Sequence, residues 1–384
     1  MAAGNHNQKY FVYPPERYVK NKLNTDFSWS DPKGSYSIDA QGNFYNYDKR
    51  ELRSLIPNYK SKYGSDLTAG FNPLETEPHY RRPLDSFLYW IVLNKDKISG
   101  TDTGQGKRLD AEFVFTVGTM RRLLATVFDT DGKYKQPWKM YVIKYNGTIY
   151  IRNGENTSEE RRPEEERKDV YMGLKFEELI SKLEPCESQG KPADRKVDGR
   201  QGFYSVRRGI FGGGHLVLTR AQVDFVENGK TYLECKLCPN YTGQDEWKFP
   251  MYKLRNWWYH MYAANMKHVI CGRRDGTTLE RVNRIERSEI PYQVKNPRMS
   301  CPPAIQSALK SWNPLESVGF VDKFLQRLKR ELVDDSFGMD GGRAVQYVLE
   351  WKKDESLIGS SREEASMSNV LPDWYNTKMS AFFA

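Results

Sequence analysis

Long apolar runs are missing from this 384-residue chain. No stretch is long enough to span a bilayer, and the start, MAAGNHNQKYFVYPPERY, has no apolar core of signal-peptide length. Those absences argue against a membrane protein and against export, so the chain is expected inside the cell. Cysteine is scarce and odd in number, five in all, which suits reduced thiols and not a disulfide framework. Long blocks of one charge sign are also missing, although 59 basic residues face 50 acidic ones and the net charge is +9. A basic balance of this size favours a polyanionic partner such as nucleic acid.

Hydrophobic residues at 38% and aromatics at 13% supply a sizeable core. Alternating and helical stretches are interleaved along the chain, which indicates a mixed α/β fold. Residues 35–47 and 138–153 read as hairpins. Apolar spacing predicts helices over 82–95 (Leu84, Phe87, Leu88, Ile91, Val92), from about Phe113 within 110–129, over 170–184 (Phe176, Leu179, Ile180, Leu183), over 251–266 and over 319–335 (Phe320, Phe324, Leu325, Leu328, Leu332). Residues 267–291 read as strand, Arg-Asp-Gly turn and a further polar strand or helix, and 344–353 as a closing strand. Residues 1–353 are expected to form one domain, followed by a tail, 354–384, packed in part through 370–379. Polar loops are expected at 96–109, 154–168 and 185–202.

The stretch 216–238, LVLTRAQVDFVENGKTYLECKLC, carries the chemistry. It reads as two strands joined at Glu227-Asn228-Gly229-Lys230, a strong hairpin signal. Gln222, Asp224, Glu234 and Lys236 interrupt otherwise apolar strands. A two-residue Asn-Gly turn would place Asp224 and Glu234 on opposite faces. A three-residue loop, Glu227 to Gly229 with Gly229 left-handed, pairs Val226 with Lys230, Gln222 with Glu234 and Asp224 with Tyr232. The bulged turn is preferred because it gathers two carboxylates and Lys236 on one face. Carboxylates in that setting hold hard divalent cations, and a lysine beside them stabilises developing negative charge. A solvated polar face is the plain alternative on this stretch alone. Glu177, next to core-facing Phe176, sits where a third carboxylate could reach the hairpin.

Other motifs weigh less. Cys235-x2-Cys238 with His260, His268 and Cys271 has the wrong spacing for a zinc ribbon or finger. The aromatic helix with Trp257, Trp258, Tyr259 and Tyr262 reads as core before it reads as a base-stacking platform. Arg207, Arg208, Arg220, Arg273 and Arg274 are candidate phosphate contacts, each more often a plain surface charge.

Taken in order, SIDAQGNFY, DLTAGF, GTIYI, YMGLKFE, VDF…YLECK, KLRNWW and LPDWY resemble the DXO family of decapping exoribonucleases, nearly end to end. The resemblance implies two β-sheets flanked by helices, a groove between them, two Mg²⁺ or Mn²⁺ ions and an RNA 5′ end as ligand. It implies Glu177, Asp224 and Glu234 as metal ligands with the Cys235 backbone carbonyl, and Lys236 as the catalytic lysine. Three positions depart from the family pattern. Gln222 replaces the glutamate of Glu-x-Asp, Val117 an arginine that contacts the RNA 5′ phosphate, and His260 a glutamine. Two ions bring +4, which four carboxylates balance and three do not, and valine offers no bidentate phosphate fork. Arg121, Arg122, Arg220 and His260 remain as candidate RNA contacts.

The expectation is therefore a degenerate site: an RNA 5′-end-binding protein with weak or lost catalysis, shielding uncapped or incompletely capped nuclear RNA, as degenerate relatives shield germline small-RNA precursors. The alternatives are an active metal-dependent decapping nuclease and a non-enzymatic scaffold that docks a 5′–3′ exoribonuclease or a chromatin or transcription factor. The nucleus, with the cytoplasm second, is the compartment the resemblance implies.

Overall fold

The computed structural model describes residues 28–74, 84–100, 107–128, 137–154, 163–184, 199, 201–297, 301–332, 344–352, 358–365 and 370–383. The chain begins with strands β1 (Ser28–Ile38), β2 (Phe44–Asn46) and β3 (Arg53–Leu55), helix α1 (Asp85–Asn94), β4 (Phe113–Thr116) and α2 (Val117–Ala125). It continues with β5 (Trp138–Tyr145), β6 (Thr148–Asn153), α3 (Glu164–Leu179), β7 (Ser181–Leu183), β8 (Gly202–Phe211), β9 (His215–Val223), β10 (Phe225–Glu227) and β11 (Thr231–Pro239). The remainder is α4 (Arg255–Ala264), β12 (His268–Asp275), β13 (Thr278–Glu286), α5 (Ile290–Lys295), α6 (Pro303–Ser311), α7 (Pro314–Glu331), β14 (Ala344–Trp351), β15 (Ile358–Ala365) and α8 (Asp373–Phe383).

Among the described residues the strands form two sheets. The larger runs β15-β14-β5-β6-β4-β9-β8-β1-β2 and the smaller β13-β12-β11-β10-β3-β7. This is the expected two-sheet architecture with flanking helices. One core cluster joins the large sheet to residues of α2, α4 and α7, including Phe115, Leu123, Trp258, Trp312, Phe324 and Leu328. A second joins its other side to α1 and α8 through Tyr36, Trp90, Tyr150, Leu371 and Tyr375. A third packs α3 on the small sheet through Met172, Phe176, Ile180, Leu233 and Ile270.

Several sequence expectations change. The helix expected from about Phe113 is first a strand. Phe113-Val114-Phe115 is buried and lies parallel to both β6 and β9, and a strand covered on both faces shows no alternation to betray it. Thr116 then caps α2, its hydroxyl accepting from the Thr119 N–H at 3.3 Å. The helix over 251–266 opens with a π-helical turn, Phe249–Leu254. The polar run 154–168 ends inside α3, which starts at Glu164, and its residues 155–162 lie outside the described ones. So do 101–106 of the expected loop 96–109 and most of 185–202. The C-terminal tail contributes more than 370–379, since β15 pairs along β14 and α8 buries Tyr375, Met379 and Phe382.

The central stretch is also not one hairpin. The run 216–226 breaks at Asp224: β9 belongs to the large sheet, paired with β8 and β4, and β10 to the small sheet, paired with β11 and β3. The turn is one residue later than expected. Asn228 (φ 52°) and Gly229 (φ 67°) are both left-handed, Lys230 N–H donates to Glu227 O at 3.2 Å, and Glu227 pairs with Thr231. Asparagine tolerates that conformation and glycine favours it, so the loop is Asn228 to Lys230.

Candidate active site at the crossing of the two sheets

The shifted register pairs Tyr232 with Val226, and not with Asp224 as expected; Asp224 precedes the Phe225–Leu233 pair on the side of Glu234. Asp224 stands where the chain leaves one sheet for the other, and its Oδ2 accepts the Cys235 N–H at 2.7 Å. The crossing is thereby tied to β11. Glu234 is buried, 2% exposed. Its Oε1 pairs with the Lys236 ammonium, and His260 Nε2 on α4 approaches Oε2 to 3.1 Å. That approach is an ion-pair distance, yet Oε2 has no hydrogen bond that meets geometric criteria. Lys236 also donates to the Cys235 carbonyl at 2.9 Å.

Glu177, near the C-terminal end of α3, completes the cluster. Burial pushes its carboxyl up to about 7, with Lys236 acting against the rise and Glu234 adding to it. Burial first, then the charges of Glu234 and Glu177, hold Asp224 well above the usual carboxylate range. Glu234 goes the other way: burial would raise it, but His260 and Lys236 outweigh that and hold it at about 2. Lys236 is pushed above its ordinary value because the three carboxylates outweigh its burial. One lysine thus serves three carboxylates in a poorly solvated place, and two carboxyls respond by resisting ionisation.

Those strained charges test whether a divalent cation suits the site. Fully ionised, three carboxylates against one ammonium would leave a net charge of −2, and the Oε2 of Glu234 is a buried oxygen that His260 approaches without completing a hydrogen bond. Carboxylate oxygens and a backbone carbonyl are the donor set that Mg²⁺ and Mn²⁺ take. The chemistry of the residues fits such an ion. Among the described residues no three Asp, Glu, His or Cys side chains are already gathered to hold one, and Glu234 is turned toward Lys236 and His260.

Gln222 does not join this cluster. It does not face Glu234; it lies in the large sheet opposite Tyr204, exposed, its amide packed beside Gly202. Val117 is the first residue of α2 and is buried. Arg121 and Arg122 lie further along that helix. Arg220 is nearer to Val117, because β9 places it opposite Thr116 of β4. Its guanidinium stacks 4.6 Å from the Tyr204 ring, and the phenols of Tyr36 and Tyr204 raise its already high affinity for a proton. Other arginines considered for phosphate have protein partners: Arg208 pairs with Asp110, Arg274 with Asp169, and Arg273 sits over Phe249. Trp257, Trp258 and Tyr259 are buried core residues. Cys238 and Cys271 lie 3.9 Å apart between sulfurs, whereas Cys235 belongs to the cluster under α3, so the cysteines do not converge on a metal.

Sequence reading missed Arg53. Its Nε donates to Ser181 Oγ at 2.7 Å, Ser181 bonds the Glu177 carbonyl, and its charge reaches the Glu177 carboxylate. Nothing in the sequence marks it, since only the pairing of β3 with β7 brings residues 53 and 177 together.

A family profile described as RAI1 like PD-(D/E)XK nuclease matches residues 31–376. The chain belongs to this family. The decapping and exoribonuclease protein of Xenopus laevis is 25% identical over 369 residues, covering 89% of this chain and 84% of that protein. The decapping nuclease RAI1 of Saccharomyces cerevisiae is 25% identical over 371 residues, covering 88% and 89%. The fold matches Scheffersomyces stipitis Rai1, crystallised with (3′-NADP)⁺ and calcium, at a TM-score of 0.74, 18% identity and 96% and 100% coverage. Candida albicans Rai1, crystallised with pU5 and Mn²⁺, matches at a TM-score of 0.73, 17% identity and 97% and 99% coverage.

Proposed function

We propose that this RAI1-like chain binds RNA 5′ ends at the sheet crossing and turns them over weakly or not at all, sheltering uncapped or incompletely capped RNA in the nucleus, germline small-RNA precursors among them. The observation that carries the reading is the state of Glu234. Its Oε1 is engaged by the Lys236 ammonium and its Oε2 is approached by His260 at 3.1 Å, at a position where the family resemblance expects glutamine, while Gln222 stands outside the cluster with no charge to offer an ion. Val117 removes a further phosphate contact. The net charge of +9 and the setting of Arg220 beside α2 support an RNA ligand. Manganese and a 5′-phosphorylated oligonucleotide in a structural neighbour give that ligand class a precedent.

In this reading Glu177, Asp224, Glu234 and the Cys235 carbonyl would hold divalent metal, which when bound supplies charge stabilisation at a phosphate. Lys236 keeps Glu234 ionised and places a positive charge where a phosphate oxygen approaches. Arg220, with Arg121 and Arg122 behind it on α2, receives the 5′ phosphate. A 5′–3′ exoribonuclease or a chromatin or transcription factor is the partner class a shielding role would serve.

The second reading, an active decapping nuclease, is favoured by the surviving cluster of Glu177, Asp224, Glu234 and Lys236. The two separate on RNA carrying a 5′-monophosphate, a 5′-triphosphate or an unmethylated cap, incubated in Mg²⁺ and in Mn²⁺. Silent wild-type protein that binds RNA, beside a Gln222→Glu/Val117→Arg variant that gains turnover, supports the shielding reading. Wild-type turnover that vanishes in Glu234→Ala overturns it.

A further inference from the structure

Resting on the reading of an RNA ligand above, we propose that the body of the RNA, the single-stranded stretch behind its 5′ end, binds a basic and aromatic patch where β2 ends against α1. The first observation is Tyr47, the residue after β2. Its backbone is left-handed at φ 55°, a conformation that costs a bulky side chain free energy and that glycine or asparagine takes more readily. Its N–H is tied to the Ser35 carbonyl at 2.9 Å, and its ring lies over Gly34, where a Cβ would stand 3.0 Å from Tyr47 Cε1. The strained backbone presents a ring that is 43% exposed, with the Lys97 ammonium 4.3 Å from its centre. Strain of this kind collects at binding sites, and a flat ring beside a held ammonium is what an unpaired base and its phosphate take.

The second observation is charge. Lys95 and Lys97 belong to the 3₁₀ turn that continues α1. Asn94 at the end of α1 donates to Asn46 of β2 at 3.2 Å, which fixes that turn beside Tyr47. The Lys95 and Lys107 ammoniums stand 5.8 and 5.6 Å from the ring centre of nearly buried Phe382, so the two charges are held near each other. Lys33, exposed, precedes Gly34. Among the described residues nearby, Asp48 pairs with Arg50 and Asp110 with Arg208, which leaves Asp96 of the turn itself against four lysines. Lysines at a helix C-terminus also suit its dipole, but Lys33 and Lys107 lie outside that turn.

The third observation is position. The large sheet sets β9, β8, β1 and β2 side by side. Ser35 pairs with Ser205 of β8, and Ser205 with Ala221 of β9, so Tyr47 and the residue after Arg220 end one row across that sheet. Three strand spacings are about 14 Å, a span that RNA held by its 5′ end at Arg220 crosses within a few nucleotides.

The test is binding of 3′-labelled oligouridine carrying a 5′-monophosphate to the full chain, followed by fluorescence anisotropy across salt, as a dinucleotide and as a twenty-nucleotide chain. The long chain should bind wild type more tightly than the dinucleotide. Lys33→Ala/Lys97→Ala should lose about tenfold on the long chain and about 1.4 of its salt slope. Tyr47→Asn, which suits the left-handed backbone, should lose about tenfold on the long chain through stacking, and Tyr47→Phe should bind as wild type. Dinucleotide affinity should stay the same in all three, and melting curves check that each is folded. Unchanged long-chain affinity in the lysine variant or in Tyr47→Asn overturns the inference. So does an equal loss on the dinucleotide, which would move these residues into the 5′-end site. Phosphatidylserine vesicles that bind wild type more tightly than the long RNA, and release the lysine variant, overturn it in favour of a membrane surface. The two readings fail separately. Equal wild-type affinity for 5′-monophosphate and 5′-hydroxyl RNA sinks the 5′-end reading while a patch-dependent long-chain affinity stands, and an unaffected lysine variant that still prefers the 5′-monophosphate sinks the patch alone.

Discussion

Replacing Glu177 with glutamine should make the metal-free protein more stable at pH 8, although the residue is a candidate ligand. Its carboxyl is raised from 4.5 to about 7 by burial and by Glu234. A raised carboxylate means that the folded state prefers the protonated form. Below about pH 4.5 the group is neutral in both states and costs nothing. As pH rises from 4.5 toward 7 the unfolded chain ionises first, stability falls, and above 7 the penalty is constant. At 1.36 kcal/mol per tenfold, the rise corresponds to about 3 kcal/mol, which sharing of the proton with Asp224 and residual solvent at a half-buried side chain reduce to about 1–2 kcal/mol. Glutamine keeps the shape and removes the charge. Urea denaturation in chelator at pH 4.5, 6 and 8 should show Glu177→Gln equal to wild type at the lowest pH and more stable by that amount at the highest. If the variant is less stable than wild type at pH 8, the carboxylate cluster is not under the charge stress described, and the case for a cation there falls with it.

Other outcomes follow from the same contacts. Mn²⁺ should raise the melting temperature more at pH 8 than at pH 5.5, because Glu177 and Asp224 must lose protons before they can hold an ion; equal shifts at both pH values would contradict their place in the site. Arg220→Ala should weaken binding of 5′-monophosphate RNA about tenfold and lower the salt slope by about one, while 5′-hydroxyl RNA is bound nearly as before; fluorescence anisotropy reads both, and equal losses on the two RNAs would remove Arg220 from the 5′ end. In Gly272→Ala the new Cβ would stand 2.6 Å from Phe176 Cζ and 2.9 Å from Leu237 Cδ1, so the Phe176 ring must be displaced within its packed core. A cost of about 1–3 kcal/mol in urea and a weaker Mn²⁺ affinity are expected, since Phe176 adjoins Glu177; unchanged stability would mean that the helix is not packed that tightly.

The sequence was most legible where a residue's role is local. Hairpins such as β5–β6, with Asn146-Gly147 at its turn, and amphipathic α7, with Phe320, Phe324 and Leu328 inward, declare themselves through period and turn chemistry. Asp224, Glu234 and Lys236 are legible as a set because charged residues in apolar strands need a reason, and Glu177 on α3 joins them through the family resemblance. What escaped was whatever depends on two sheets meeting. Phe113-Val114-Phe115 is apolar throughout as a buried parallel strand, so nothing separated it from the helix that follows. The break at Asp224 leaves no mark, since Val223 and Phe225 are both apolar and both buried, one in each sheet. The turn was read one residue early because Asn228 shares the left-handed conformation assigned to Gly229 alone. Arg53 and the Tyr36–Tyr204 setting of Arg220 come from long-range pairing that no local pattern encodes.

The crossing also separates residues that hold the fold from residues that do not. Asp224 is structural as well as acidic: its Oδ2 ties the departing strand to the Cys235 N–H, and its place before the Phe225–Leu233 pair fixes where β10 enters the small sheet. Gln222, two residues earlier, is still in the large sheet, with its side chain exposed and its backbone paired to Tyr204. An exposed side chain there adds little to packing, so glutamine and glutamate should differ little in stability at this position. Glu234 is different again, because removing it would strand Lys236 and His260 beside a buried gap. Substitution should therefore be tolerated at exposed Gln222 and be costly at Asp224 and Glu234, which also hold the crossing together.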